Sequence, residues 1–269
     1  MTTELGKEAA QLLGETLERE EPLQMGGLSQ VVALRFASGA EAVVKNGPAP
    51  RIEAEMLQAI RAAGAPAPEV LAVSEAALVL ERLPEGGSLS ERGAGAFGQA
   101  LARLHGAAGA RYGWRENYAF GAVPIRNAHM DDWPAFWAEN RLLSEAERLP
   151  SRLSHRLEAL ASKLDEILPR KPTPGLCHGD LWSGNVLLHE GGVAGVIDPA
   201  AYYGHGELDL AMLALFGSIH PATQEAYGAL EPGWRERRAV YQLWPAIVHF
   251  RLFGEGYRQM IESLLDASR

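Results

Sequence analysis

Between Leu176 and Phe216 the chain reads LCHGDLWSGNVLLHEGGVAGVIDPAAYYGHGELDLAMLALF, and the middle of that stretch leaves few folding options. Val186 to Leu188 and Val193 to Ile197 are strand-like runs, and Gly191-Gly192 between them signals a hairpin. A hairpin returns its two ends to one place. Asn185, just before the first strand, and Asp198, just after the second, are therefore expected side by side. Paired side-chain oxygens at strand ends suit a hard cation such as Mg²⁺, which takes oxygen ligands and keeps phosphate oxygens among them. Asp180, one loop earlier, is free to orient a hydroxyl and accept its proton. An isolated Asp in a loop is ordinarily a turn former or a helix cap. Asp, Asn and Asp recurring around a strand-turn-strand instead outline a phosphoryl-transfer site, where positioning and charge neutralisation supply most of the catalysis.

The chain is long enough to bury a large core as one domain or two lobes, at 269 residues. Hydrophobic content of 47% and charged content of 22% are ordinary for a globular protein. No apolar run of about 18 residues predicts a membrane span. The N-terminal residues lack the basic start and apolar core of a secretory signal. A single cysteine, Cys177, makes no internal disulfide, and a reducing, cytoplasmic setting fits that count. No motif activates it, so it reads as a small buried hydrophobe. The net charge of −9 argues against a nucleic-acid partner.

Residues 5 to 19 carry an apolar stripe at helical spacing. Val31 to Phe36 and Ala40 to Lys45 are strands joined by a turn at Ser38-Gly39. Gly26, Gly27 and Ser29 precede the first of them, and small residues there let backbone N–H groups approach phosphates. Lys45 ends the second strand as a candidate phosphate clamp. A helix beginning near Pro50 follows, with Ile52, Met56, Leu57 and Ile60 inward and Glu53 or Glu55 able to reach Lys45. Glu53 is preferred, because it shares the side of Leu57. Two more strands, at 69–74 and 76–82, lead into the breaker Pro84-Glu85-Gly86-Gly87, which sets a lobe boundary between 1–84 and 85–269. Backbone groups near Glu81 and Leu83 are the candidate adenine contacts. Beyond, the chain turns helical, with helices at 89–107, 133–149, 151–168 and 234–265. Residues 111–132 form a long aromatic-rich loop, of a length uncommon without a function. His105 and His249 read as packed core histidines, and Asp209 as a brace for the catalytic loop.

The spacing of His178, Asp180 and Asn185, with Asp198 downstream and Lys45 in Ala42-Val43-Val44-Lys45, resembles the catalytic and metal-binding loops and the lysine strand of protein kinases. HGDLWSGN at 178–185, with its Trp182, resembles the fructosamine (ketosamine) kinase family within the aminoglycoside-phosphotransferase and protein-kinase-like group. DPAAYYGHGELDLAMLALFG at 198–217, YGWRENYAFG at 112–121 and HFRLFGEGY at 249–257 extend the likeness to nearly the whole chain. The resemblance implies an α+β, two-lobed protein-kinase-like fold, with a small antiparallel-sheet N-lobe carrying one key helix and a larger, mainly helical C-lobe. It implies ATP and Mg²⁺ as cofactors. It further implies phosphorylation of the 3-hydroxyl of a sugar ketoamine on lysine or a small amine, after which the adduct decomposes and the amine is freed. Carried over by position, Asp180 is the base, Asn185 and Asp198 the metal ligands, Lys45 the phosphate-holding lysine and Glu53 its partner. Trp182 walls the sugar pocket, and His178 is placed with it on the substrate side. The chain departs from the family at Leu28-Ser29-Gln30, at Ile125 and at Ser218-Ile219; Ile125 falls in a loop expected to shape the pocket.

Three other readings stay open on sequence alone. The same chemistry could serve an aminoglycoside, a choline-like compound or another small hydroxyl acceptor. A pseudokinase binding module has no need to keep Lys45, Asp180, Asn185 and Asp198 together. A metal hydrolase built on His178, Asp180 and His205 would lack the tight His spacing of zinc enzymes.

Overall fold

Short strands rich in Val and Leu, buried on both faces at the centre of a sheet, decide the first third of the molecule. The computed structural model describes residues 3–23 and 29–268. Leu17–Leu23 (β1), Val31–Phe36 (β2), Glu41–Lys45 (β3), Val70–Val73 (β4) and Leu78–Glu81 (β5) form one antiparallel sheet in the order β1-β2-β3-β5-β4. Val32, Leu34, Phe36, Ala42, Val44 and Val79 face one way and bury Leu5, Ala9 and Ala10 of helix α1 (Glu4–Leu13). Leu78 and Leu80 face the other way, into a core shared with Met56, Leu57 and Ile60 of α2 (Pro50–Ala62). Pro50 opens α2 at a position where its missing N–H costs nothing.

The expected helix over 5–19 is shorter than its stripe suggests. At Gly14 the backbone turns left-handed (φ 67°), its N–H closing on the carbonyls of Ala10 and Gln11, and residues 17–23 become β1. This edge strand, LEREEPL, hides in sequence because charges and Pro22 guard its free side, as edges require.

From Glu91 on, helices dominate. They are α3 (Glu91–Gly106), α4 (Trp133–Trp137), α5 (Ser151–Ala161), α6 (Leu164–Ile167), α7 (Glu207–Leu213), α8 (Pro221–Tyr227), α9 (Trp234–Phe253) and α10 (Arg258–Ala267). Short antiparallel pairs interrupt them. Tyr118–Phe120 (β6) pairs with Val123–Ile125 (β7), and Gly175–Cys177 (β8) with Tyr202–Gly204 (β11). Val186–His189 (β9) pairs with Gly192–Val196 (β10). The aromatic-rich loop at 111–132 thus contains the β6–β7 hairpin, with Ile125 buried opposite Tyr118 rather than facing a pocket.

The segment 133–149 is not one helix. After α4 it widens into a π-turn (Ala138–Leu142) and later a 3-10 turn (Ala146–Arg148). Within that π-turn sits Arg141, fully buried, its guanidinium 4.2 Å from the centre of the Tyr202 ring and donating to the Arg126 and Asn140 carbonyls and to Asn127 Oδ1.

Contacts between the sheet-bearing and helical parts are specific. Just past the sheet, at the start of the helical part, Gly86 N–H donates to the Leu188 carbonyl (2.7 Å), and both N–H and Oγ of Ser90 reach the Gly191 carbonyl. Val196 N–H donates to the Pro66 carbonyl (2.8 Å), so the β9–β10 hairpin is bonded to both parts. Among the described residues no helix is long and apolar enough to cross a membrane.

Candidate active site

The β9–β10 hairpin does what its sequence requires. Glu190 and Gly191 both take positive φ (47° and 81°), the pairing of a tight two-residue turn, and Val196 lies opposite Val186. Its ends meet where Ile197 N–H donates to the Asn185 carbonyl (3.0 Å), placing Asn185 next to the Asp198 loop. Asp198 itself sits at φ 54°, a left-handed conformation that Asp tolerates better than most residues and that functional loops often hold.

The catalytic loop is held from behind. Asp209, fully buried on α7, accepts from the backbone N–H groups of His178 (2.6 Å) and Gly179 (2.9 Å). His105 Nε2 bonds the same carboxylate at 3.0 Å, and its Nδ1 meets the Tyr227 hydroxyl at 2.9 Å. Burial alone would raise Asp209, but His105 and the His178 amide outweigh it and hold the carboxyl below the usual range. Asp209 therefore braces the loop, as its place in the sequence suggests, and His105 is a packed histidine. Gly179 is required here: at φ 80°, a Cβ would lie 2.2 Å from the Ala200 carbonyl oxygen.

Asp180 projects from this loop. Asn185 Nδ2 donates to its backbone carbonyl (2.8 Å) and to its Oδ2 (3.0 Å), which leaves the Asn185 amide oxygen free to accept or to ligate. Burial pushes the Asp180 carboxyl up to about 7, with Asp198 and Asp209 adding to the shift and the Asn185 hydrogen bond opposing it. A carboxylate that exchanges its proton near neutrality is suited to general base work.

On the sheet side, Lys45 Nζ lies 2.9 Å from Glu53 Oε1 and 2.5 Å from Asp198 Oδ1. Burial would pull the lysine down, but the two carboxylates outweigh it and hold its pKa above the usual value. Glu53 is the partner, not Glu55, which pairs with Arg115. Glu53 Oε2 accepts a further bond from the Tyr118 hydroxyl (2.9 Å).

These groups line, or directly back, one cavity of about 560 Å³. Its sheet side includes Ser29, Val31 and Lys45, and its floor includes Asp180, Asn185 and Asp198. Opposite, Trp182, Tyr241, Trp244, His249 and Phe253 make an aromatic wall. Trp182 is 39% exposed and Phe253 58%, while Phe216 links Trp182 (6.4 Å between ring centres) to His249 (4.7 Å). Trp182 is thus a wall and not a plug of the core. His249 bonds the Pro245 carbonyl through Nδ1 (2.8 Å), as a satisfied histidine should, yet its ring also faces the cavity. Burial pulls its pKa below the usual histidine value.

Three expectations need correction or lie out of view. His178 is fully buried and does not reach the cavity. Its Nε2 bonds the Ile197 carbonyl (3.0 Å) and its Nδ1 accepts from Asp180 N–H (3.3 Å), so it ties the catalytic loop to the Asp198 loop. Glu81 and Leu83 do not line the cavity either. The Glu81 N–H is spent on the Glu69 carbonyl and its side chain on the Glu69 N–H, while Leu83 packs against Gly195. Glu85, two residues on, is the lining residue of that segment. Gly26 and Gly27 fall outside the described residues.

Sequence reasoning missed Tyr118 and Phe253. The short NYAFGAVPI run, aromatic and apolar around a Gly turn, was the available signal for Tyr118; Phe253 gave none, since its helix is apolar on most sides. Cys177 is buried, and burial pushes its thiol well above the usual value, in keeping with an inert core position. His205 Nδ1 and the Tyr241 hydroxyl are hydrogen-bonded (2.8 Å) deep in the core. Among the described residues, the groups of three or more His, Cys, Asp or Glu side chains close enough to share an ion are His105/Cys177/Asp209 and His205/Glu207/Glu231, and neither joins His178, Asp180 and His205.

The sequence model of the fructosamine kinase family matches residues 17–268. A probable ketoamine kinase of Synechocystis, slr1563, is 41% identical over 177 residues, covering 63% of this chain and 60% of that protein. The chain thus spans less than two thirds of that relative's length. The crystal structure of a candidate fructosamine-3-kinase from Thermobifida fusca YX-ER1 superposes with a TM-score of 0.91 at 31% identity, over 100% of this chain and 99% of that one. At the level of fold alone, the aminoglycoside phosphotransferase APH(4)-Ia, solved with AMP-PNP and hygromycin B, superposes with a TM-score of 0.65 at 16% identity, over 99% of each chain. The two-part architecture is therefore the protein-kinase-like one, and across 17–268 the chain belongs to the fructosamine kinase family.

Proposed function

We propose that the protein is a kinase that uses ATP and Mg²⁺ to phosphorylate the 3-hydroxyl of sugar ketoamines such as ribulosamines and fructosamines, free or protein-bound. In this reading residues 1–84 form the nucleotide lobe and 85–269 the catalytic lobe. The observation that carries it is convergence: Lys45 with Glu53, Asp180, Asn185 and Asp198 meet at one cavity whose opposite wall is aromatic.

The donor set fits the implied groups. Asn185 keeps a free amide oxygen and Asp198 a carboxylate oxygen not used by Lys45, both hard ligands of the kind Mg²⁺ takes. ATP with Mg²⁺, when bound, supplies the phosphoryl group and neutralises its charge. The chain's own residues do the rest. Lys45, aimed by Glu53, offers a fixed ammonium to phosphate oxygens. Asp180 accepts a hydrogen bond from the acceptor hydroxyl, aligns it, and takes its proton at a carboxylate oxygen as the new ester bond forms. Trp182 packs against the sugar's less polar face and excludes water from the reacting oxygen. A phosphate ester at the 3-position favours decomposition of the adduct, so the cellular role is deglycation repair. A cytoplasmic compartment suits the one cysteine, which is buried and unpaired.

The test is ³¹P NMR of the product made from a synthetic ribulosamine, with ADP release followed across a panel of acceptors. A phosphate ester on the third carbon is the expected result. Turnover of an aminoglycoside or a choline-like alcohol, with none on ribulosamine or fructosamine, overturns the proposed substrate.

A further inference from the structure

Glu53 is an uncommon carboxylate. It is 1% exposed, and its two oxygens are divided between partners from different parts of the fold. Oε1 faces Lys45 of β3, and Oε2 accepts from the Tyr118 hydroxyl at the start of β6. The β6–β7 hairpin that carries Tyr118 is rooted in the main core by Val123 and Ile125, which are 0% and 1% exposed. The loop leading into it meets α2 a second time, where Arg115 pairs with Glu55. Tyr118 also lines the cavity. A buried carboxylate oxygen left without a donor carries its full desolvation cost, so removing one hydroxyl forces Glu53 to turn or to take up a proton. Either change loosens the ammonium that Glu53 aims.

From this we infer that Tyr118 is a positioning residue: its hydroxyl, delivered from the helical part of the molecule, fixes Glu53 so that Lys45 is set for phosphate, linking the acceptor cavity to the nucleotide side. The inference rests on the proposed kinase reading and deepens it. Tyr118 acts through Glu53 and not by touching the nucleotide.

The experiment measures binding of AMP-PNP with Mg²⁺ by calorimetry to the full chain, Tyr118→Phe, Glu53→Gln and the double variant. The AMP-PNP-induced rise in Tm is recorded for each, a readout internal to a variant even if its fold is weakened. Tyr118→Phe keeps the ring and is expected to weaken AMP-PNP binding roughly tenfold, the loss of one hydrogen bond to a charged group. The double variant should bind no more weakly than Glu53→Gln alone, since both changes break one chain of contacts. The acceptor KM, read by ADP release, should stay at its wild-type value. Unchanged AMP-PNP binding in Tyr118→Phe overturns the inference, as does additivity in the double variant. A raised acceptor KM with normal nucleotide binding also overturns it, assigning Tyr118 to the acceptor instead. Failure of the wild-type chain to bind AMP-PNP defeats the kinase reading itself, and this inference with it.

Discussion

The two sides of the cavity are built from different physics. On the side proposed to hold phosphate, Lys45, Glu53 and Asp198 are joined by ion pairs of 2.9 and 2.5 Å, and the ammonium and the Glu53 carboxylate are almost wholly removed from water. On the side proposed for the acceptor, Trp182, His249 and Phe253 offer ring faces, two of them substantially exposed, with few hydrogen bonds to hold them. Charges in a low-dielectric pocket are strong and intolerant of displacement. Ring contacts are broad and tolerate variation in what they touch. In the proposed kinase reading, the reaction's geometry is therefore fixed tightly and its choice of acceptor loosely.

That contrast can be broken in three places. The largest effect is expected from Asp180→Asn, which keeps the shape and the Asn185 contact but removes the base. The turnover rate should fall by roughly 10²–10⁴ with AMP-PNP binding intact, measured by ADP release and calorimetry. Retained turnover would mean that the acceptor is aligned elsewhere. Next comes Trp182→Ala, which strips the sugar-facing wall. An acceptor KM raised about tenfold with an unchanged ATP KM, close to 1.4 kcal/mol, is the expected pattern. Should both constants rise together, the two sides would not be separable as described.

The third effect is on stability and not on turnover, and it concerns pH and the support behind the aromatic wall. His205 bonds Tyr241, whose ring lines the cavity. Burial, with Arg237 and His105 nearby, pulls the His205 pKa down to about 3, and Glu207 at 3.9 Å does not offset this. An unfolded histidine titrates near 6.5. Between those values the unfolded chain binds more protons, so stability is complete above about 6.5 and declines as pH falls toward 3. Over the first unit and a half this is on the order of 2 kcal/mol. Thermal melts from pH 7 to 5 should show Tm dropping, with a shallower drop in His205→Asn. Equal slopes for the two chains would remove His205 from the account.

Much of the architecture is legible in the chain because its signals are local. The Glu190-Gly191 turn, the runs on either side of it, the strands at β2 and β3, and the proline-started α2 each follow from neighbours in sequence. Where local signals conflict, reading fails. A charged edge strand imitates a helix end at 17–19, since only pairing with β2 makes it a strand. The segment 133–149 keeps helical spacing and yet widens into a π-turn, where Arg141 is buried among Tyr202, Phe136 and Trp244.

Residue types and their spacing, by themselves, picked out the groups of the proposed reaction: a candidate base, two candidate oxygen ligands and a lysine, each tied to a short motif. Which of those groups meet water, and which face inward, was decided by tertiary packing. His178 sits in the same motif as Asp180 and yet is sealed away, because both its nitrogens are taken by backbone groups. Tyr118 reaches Glu53 from 65 residues further along the chain, a separation that only the closed fold brings to hydrogen-bonding distance. Local motifs specify chemistry through short-range geometry; burial and long-range pairing depend on how the whole chain excludes water, and no window of sequence contains that.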